Sequence, residues 1–243
     1  MRQFIDITID VFCDSADLAV MRQVAEQYPY IRGWTCNPSI CRKCGVSDYV
    51  QFIKDALSQL PPLPLSVEVV ADEPDEIDRQ ARWLTNMAHT LDRSTTLYVK
   101  VPIVNSRGET LAPAISRLSH DGVQINATAV MAFESVCEAT DALWGGAPSW
   151  VSVFIGRLAD AGVEPLDCMR RYVDQIHKAT RVIWASPREP LNVLQSQRLG
   201  FDAITLFYDF IKKLHIFGRD LREYEIETSR QFLDDAVSSG FTL

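Results

Sequence analysis

Eight short runs rich in Val, Ile, Thr and aromatic residues alternate with amphipathic stretches along almost the whole chain. The runs are Gln3–Thr8, Ile31–Thr35, Leu65–Ala71, Leu97–Val104, Val123–Val130, Trp150–Ile155, Arg181–Ala185 and Phe201–Leu206. Their composition is that of buried strands. Helical periodicity marks Ala16–Gln27, Val46–Leu60, Glu73–His89, Thr110–Asp121, Phe133–Trp144, Pro165–Lys178, Pro190–Arg198 and Tyr208–Phe217. Within the second of these, Val50, Ile53, Ala56, Leu57 and Leu60 recur at the spacing of one helix face. Eight strand–helix units in 243 residues predict an α/β fold, a (β/α)8 TIM barrel. A doubly wound sheet is the competitor, and the G-x-G-x-x-G fingerprint it often carries is missing after the first run. No shift of composition divides the chain, and Pro61-Pro62-Leu63-Pro64 reads as a loop feeding a strand. One barrel domain over residues 1–243 is expected, with an acidic helix, Asp220–Val237, making residues from about 219 to 243 a C-terminal extension.

Charge and hydropathy narrow the function. Against 32 Asp and Glu stand 24 Lys and Arg, a formal net charge of −8, so a nucleic-acid partner, which needs clustered basic charge, is not expected. No apolar run approaches the ~18 residues of a membrane span, and the acid at position 6 argues against a secretory signal. A cytoplasmic protein is expected. Cys36, Cys41 and Cys44 are spaced C-x4-C-x2-C, but no His lies near them to complete a zinc site. Free thiols, with no metal, are the expectation.

Polar residues within the strand candidates gather toward one end. They are Asp6 in the first, Thr35 and then Asn37 at the second, Ser66 and Glu68 in the third, and Lys100 in the fourth. Asn126 and Thr128 lie in the fifth and Ser152 in the sixth; Arg157 follows the sixth, and Ser186 and Arg188 follow the seventh. Side chains two apart on a strand share a face. If that face is the barrel interior, these groups meet at the C-terminal mouth, where such barrels do chemistry. A lone Ser or Thr in a strand is more often locally hydrogen-bonded. Two carboxylates in apolar strands are harder to dismiss, because buried acids are rare unless paired.

Lys100 is the sharpest signal. Of the six lysines, at 43, 54, 100, 178, 212 and 213, it alone lies inside an apolar run, Leu97–Val104. Desolvation there is costly unless the ammonium is paired or loses its proton. An amine stripped of its proton is what Schiff-base chemistry needs. The alternative is a structural ion pair with Glu68 or Asp6. Arg157 and Arg188 could together grip a phosphate in bidentate fashion, or form surface salt bridges.

These segments resemble the transaldolase family. The resemblance rests on Trp34-Thr35-Cys36-Asn37-Pro38-Ser39, Val99-Lys100-Val101-Pro102, Asn126-Ala127-Thr128-Ala129, Ser152-Val153-Phe154-Ile155-Gly156-Arg157 and Ala185-Ser186-Pro187-Arg188. Phe4-Ile5-Asp6 and Ser66-Val67-Glu68 fit the first and third strands. The short chain is most similar to the small transaldolases and fructose-6-phosphate aldolases. The resemblance implies that Lys100 forms an imine with a ketose and that Asp6 takes the C4 hydroxyl proton. Glu68 would move protons through a water held by Thr128. Asn37 and Asn126, with Ser152 beside them, would bind the dihydroxyacetone unit, with Thr35 and Ser66 in the same pocket. Arg157, Ser186 and Arg188 would hold a phosphate. It implies sugar phosphate substrates, no cofactor, and a homo-oligomer: a dimer, pentamer or decamer. The aldolase branch carries Tyr where this chain has Phe154, which favours transfer over cleavage. A pentose phosphate role and synthesis of a longer sugar, such as an octulose phosphate, both fit. The departures are Ile103–Gly108 after the lysine, Met131-Ala132, and Pro187 in place of Phe. They bear on donor and acceptor rather than on the imine. The rival readings are a lyase releasing free dihydroxyacetone and a non-catalytic sugar-phosphate binder.

Overall fold

Parallel strands cannot be joined by tight hairpins, so each connection must cross the sheet, and helices do this while covering its apolar outer face. The computed structural model describes residues 6–93, 96–164, 171–174 and 180–242. Its strands are β1 (Asp10–Asp14), β2 (Ile31–Thr35), β3 (Leu65–Glu68), β4 (Leu97–Pro102), β5 (Ile125–Val130), β6 (Trp150–Phe154), β7 (Arg181–Ala185) and β8 (Ala203–Leu206). They pair in sequence order, all parallel, and β8 closes on β1. The fold is the (β/α)8 barrel expected, not the open sheet.

The helices are α1 (Leu18–Gln27), α2 (Pro38–Lys43), α3 (Tyr49–Gln59), α4 (Pro74–Thr90), α5 (Ala112–His120), α6 (Phe133–Leu143), α7 (Ile155–Asp160), α8 (Asn192–Leu199), α9 (Tyr208–Ile211) and α10 (Leu221–Ser238). Residues 171–174 are also helical, while the rest of the expected Pro165–Lys178 helix lies outside the described residues. Two short helices went unanticipated. The first, α2, begins on Pro38, with the Asn37 side chain accepting from Ile40 N–H as its cap. The second, α7, follows β6 without a loop.

The first strand differs from expectation. It is Asp10–Asp14, not Gln3–Thr8; Asp6 precedes it and is exposed. The segment from Phe4 to Asp14 alternates apolar and polar residues almost throughout, so two registers fit the pattern. Packing decides: Val11, Phe12 and Cys13 are buried, and Asp17 caps α1 by accepting from Ala19 and Val20 N–H. A strand ending at Thr8 would leave Ile9–Ser15 as a loop, longer than such connections usually are.

The barrel interior is layered. Phe12, Trp150, Ile183 and Ala203 pack together at its lower end, with Tyr98 against them. Phe12 meets Trp150 edge-on at 5.3 Å. Gly33 of β2 makes room for this plug: a Cβ there would sit 2.8 Å from the Phe12 ring. A continuous outer core, including Ile53, Ile77, Ile115 and Val193, joins strands to helices. Helix α10 stands apart, with no buried residue and with Leu221, Phe232, Leu233 and Val237 exposed. Among the described residues no helix is long and apolar enough to cross a membrane.

Candidate active site

Above the aromatic plug the interior turns polar. Asn126 Nδ2 donates to Ser66 Oγ at 3.0 Å, and Ser152 Oγ donates to Asn126 Oδ1 at 2.7 Å. This buried chain ties β3, β5 and β6 together. Ser152 reaches the wall of a cavity of about 510 Å³ at the C-terminal mouth, whereas Ser66 and Asn126 do not line it. The expected positions Thr35, Asn37, Glu68, Lys100, Thr128, Ser152, Phe154, Arg157, Ser186 and Arg188 all line this one cavity.

Lys100 lines it and is 4% exposed. Its Nζ donates to the Cys36 carbonyl at 3.0 Å and lies 3.3 Å from Glu68 Oε2. The pairing follows from register, since Glu68 and Lys100 are directly opposed across β3 and β4. The ion pair weighed as an alternative is therefore present, and it opens onto the cavity. Asp14, last in β1, is 8% exposed and also lines it. Thr35 Oγ1 donates to Asp14 Oδ1 at 2.7 Å. Burial pushes the Asp14 carboxyl up from its ordinary range. The Lys100 charge and the Thr35 hydrogen bond oppose that rise, and the Glu68 charge adds to it. Three ionisable groups thus share one low-dielectric mouth, an arrangement suited to proton transfer.

The Thr128 hydroxyl is buried and has no hydrogen-bond partner among the described residues. Next to it Ala129 holds φ +57°, the left-handed region that a non-glycine residue rarely adopts. The β5–β6 register shifts between Ala127 and Val130, and this bulge sets Ala129 in the cavity wall. Such strain persists where the surroundings enforce it, often at functional sites.

On the far side, α7 brings Arg157 to the cavity and the β7 exit brings Ser186 and Arg188. Arg188 Nη1 donates to the Ser186 carbonyl at 2.9 Å and hydroxyl at 3.0 Å, while its Nε donates to Asp160 Oδ1 at 2.8 Å. Hydrogen bonding to Arg188 holds the Asp160 carboxyl below its ordinary range, with Arg157 adding to the effect. Arg188 is thus bound to the Asp160 carboxylate, and Arg157 lines the same cavity. Ser186 adopts φ +59°, and Gly156 packs beneath it so tightly that a Cβ would lie 1.7 Å from the Ser186 carbonyl.

The carboxylate at the end of the first strand is not the one expected. Asp6 is exposed ahead of the barrel and does not line the cavity; Asp14 holds the strand-end position. The available signal was the helix cap at Asp17, which sets where the preceding strand must end. Thr205 was also missed. It lines the cavity and shares a hydrogen bond with Thr35, yet an isolated Thr in Ala203–Leu206 gave nothing to single it out. Of the cysteine cluster, Cys36 and Cys41 are buried and Cys44 is exposed.

Comparison with known proteins finds matches along most of the chain. A family model described as "Transaldolase/Fructose-6-phosphate aldolase" matches residues 11–241, a span that excludes Asp6 and includes Asp14. A "Probable transaldolase" of Methanococcus maripaludis is 31% identical over 230 residues, covering 90% of this chain and 99% of that protein. A "Probable transaldolase" of Herpetosiphon aurantiacus is 33% identical over 208 residues, covering 84% of this chain and 86% of its own length. Among solved structures, a cube-shaped protein cage designed by fusing symmetric oligomeric domains shares the fold, with TM-score 0.51 and 11% identity over 96% of this chain and 80% of that one. The chain belongs to the transaldolase/fructose-6-phosphate aldolase family.

Proposed function

We propose that the protein is a transaldolase that moves a dihydroxyacetone unit from a ketose phosphate to an aldose phosphate through an imine on Lys100. The observation that carries this reading is the Lys100 amine, buried in the mouth cavity 3.3 Å from Glu68. Lys100 Nζ would attack the ketose C2 carbonyl, and loss of water would give the imine. Glu68 is the nearest carboxylate to the proton that must leave and return. The Thr128 hydroxyl, unpartnered among the described residues, suits a hydrogen bond to the water that relays it. Asp14, in the role first expected of Asp6, would take the C4 hydroxyl proton as the C3–C4 bond breaks. The electron pair of that bond flows into the protonated imine, leaving an enamine. An acceptor aldehyde then reverses the sequence.

Asn37 Oδ1 is committed to capping α2, so its NH2 remains to donate to a substrate hydroxyl. Ser152 fits a second hydroxyl contact, while Asn126 and Ser66 hold it from below. Arg157, Ser186 and Arg188 suit the terminal phosphate, which would compete with Asp160 for Arg188. The exposed apolar side chains of α10 fit the expected homo-oligomer. The pathway, whether pentose phosphate exchange or synthesis of a longer sugar phosphate such as an octulose phosphate, follows from the acceptor used.

The second reading is a lyase that releases free dihydroxyacetone. Phe154 lines the cavity and offers no hydrogen bond to a water that could protonate the enamine, which favours transfer. Mass spectrometry of products from fructose 6-phosphate, with and without a panel of aldose phosphates, separates the two. Transfer products should dominate in the parent protein. Phe154→Tyr should raise free dihydroxyacetone and lower transfer. An unchanged product ratio at matched stability would remove the basis for preferring transfer, and no turnover of any phosphorylated ketose would favour the non-catalytic binder.

A further inference from the structure

Strand β3 loses one neighbour before its last residue. The β2–β3 ladder ends at Thr35 opposite Ser66, and its final bond runs from Cys36 N–H to the Ser66 carbonyl at 3.1 Å. Backbone groups two apart on a strand point to the same side, so the N–H and C=O of Glu68 face the edge that β2 has left. On the other side Val69 N–H bonds to the Lys100 carbonyl at 3.1 Å, so β4 holds that flank. One atom fills the open edge. Tyr49 Oη donates to the Glu68 carbonyl at 2.8 Å and accepts from the Glu68 N–H at 3.0 Å.

Tyr49 is well placed to be rigid. It opens α3, whose cap Asp48 accepts from Gln51 N–H. Its ring stacks on buried Phe52 with the planes 16° apart. Burial pushes its phenol up, so the hydroxyl keeps the proton it donates. The same α3–α4 side carries Val50, Trp83 and Leu84, and Glu68 touches both this groove and the mouth cavity.

We propose that Tyr49 is a positioning residue for the imine chemistry: its hydroxyl replaces the missing strand at Glu68 and so fixes the carboxylate against Lys100 Nζ. This rests on the transaldolase reading, in which Glu68 moves protons during imine formation. Phenylalanine at position 49 keeps the ring and its packing but leaves a partly buried N–H and C=O without their partner. Glu68 would then be held by β4 alone, and its carboxylate would wander by a fraction of an ångström or more, a displacement that is costly to a proton-transfer step.

The test compares the intact protein with Tyr49→Phe and Val50→Ala, the latter a change on the same helix that leaves the hydroxyl in place. The rate of imine formation with fructose 6-phosphate is followed by timed borohydride trapping, alongside KM, kcat and thermal stability. Tyr49→Phe should slow imine formation and kcat by about tenfold, with KM within about twofold. Val50→Ala should trap at the parental rate, even if it melts at a lower temperature. Parental trapping kinetics in Tyr49→Phe, or equal slowing in both variants, would overturn the positioning role while leaving the Lys100 adduct intact. Failure of the parent itself to form that adduct would instead refute the reading on which the proposal rests.

Discussion

Replacing Asp14 with Asn tests the reassigned first strand, because activity and stability should move in opposite directions. Asn has nearly the same shape, and its Oδ1 can still accept from Thr35, whose hydroxyl lies 2.7 Å from Asp14. What it loses is the ability to take a proton. A positioned general base contributes about 10²–10⁴ in rate, or about 2.7–5.5 kcal/mol of barrier, so kcat should fall by that factor. Stability follows the other sign. Burial raises the Asp14 pKa in the folded state, despite Lys100 and Thr35. A carboxyl with a raised folded pKa binds its proton more tightly when folded. The fold therefore loses stability as pH rises from the unfolded value of about 3.9 through the folded one, and the ionised form is a net cost at neutral pH. Lys100 keeps Glu68 at 3.3 Å, so removing Asp14 does not strand the ammonium. Asp14→Asn should thus melt at or above the parental temperature at pH 7, with the gain lost by about pH 3, below the unfolded value. The assay is kcat for transfer from fructose 6-phosphate to an aldose phosphate, paired with thermal melts at the two pH values. Asp6→Asn, an exposed change ahead of the barrel, is the control and should stay within about twofold, as surface substitutions generally do. An Asp14→Asn protein retaining more than about a tenth of parental kcat, below the range for a general base, would refute the assignment. So would an equal loss in Asp6→Asn.

At the phosphate corner, Arg157→Ala should weaken phosphorylated substrates by about 1.5–3 kcal/mol and spare unphosphorylated analogues. Arg188→Ala should cost less, because Arg188 must first release Asp160; equal effects on both substrate types would make the arginines structural. Gly156→Ala forces a Cβ to 1.7 Å from the Ser186 carbonyl, so KM for phosphorylated substrates should rise by at least about tenfold, and retention of parental KM would show that the Ser186–Arg188 turn does not bind phosphate.

The barrel was legible because its eight strands are buried on both faces and read as continuous apolar runs, whatever their exact ends. Lys100 was legible for the same reason, since a charge in such a run stands out, and its partner Glu68 proved to be its neighbour across β3 and β4. The end of β1 was not legible from alternation alone, because the acids at 6, 10 and 14 offer the same pattern in two registers. Only burial of Val11–Cys13 and the cap at Asp17 distinguish them. Ser66 and Asn126 were expected at the mouth if their strand face is the barrel interior, but depth along the barrel is tertiary information. They lie beneath the cavity and support Ser152 rather than line it. Tyr49 carried no signal at all, since its role depends on where β2 stops pairing.

The central claim is that one lysine forms a covalent bond to the ketose. Incubating the protein with fructose 6-phosphate, reducing with borohydride and mapping the adduct by peptide mass spectrometry tests it directly. The account predicts a single adduct on the peptide containing Lys100, lost in Lys100→Met. An adduct on Lys43, Lys54, Lys178, Lys212 or Lys213, or persistence of the adduct in Lys100→Met, would contradict it.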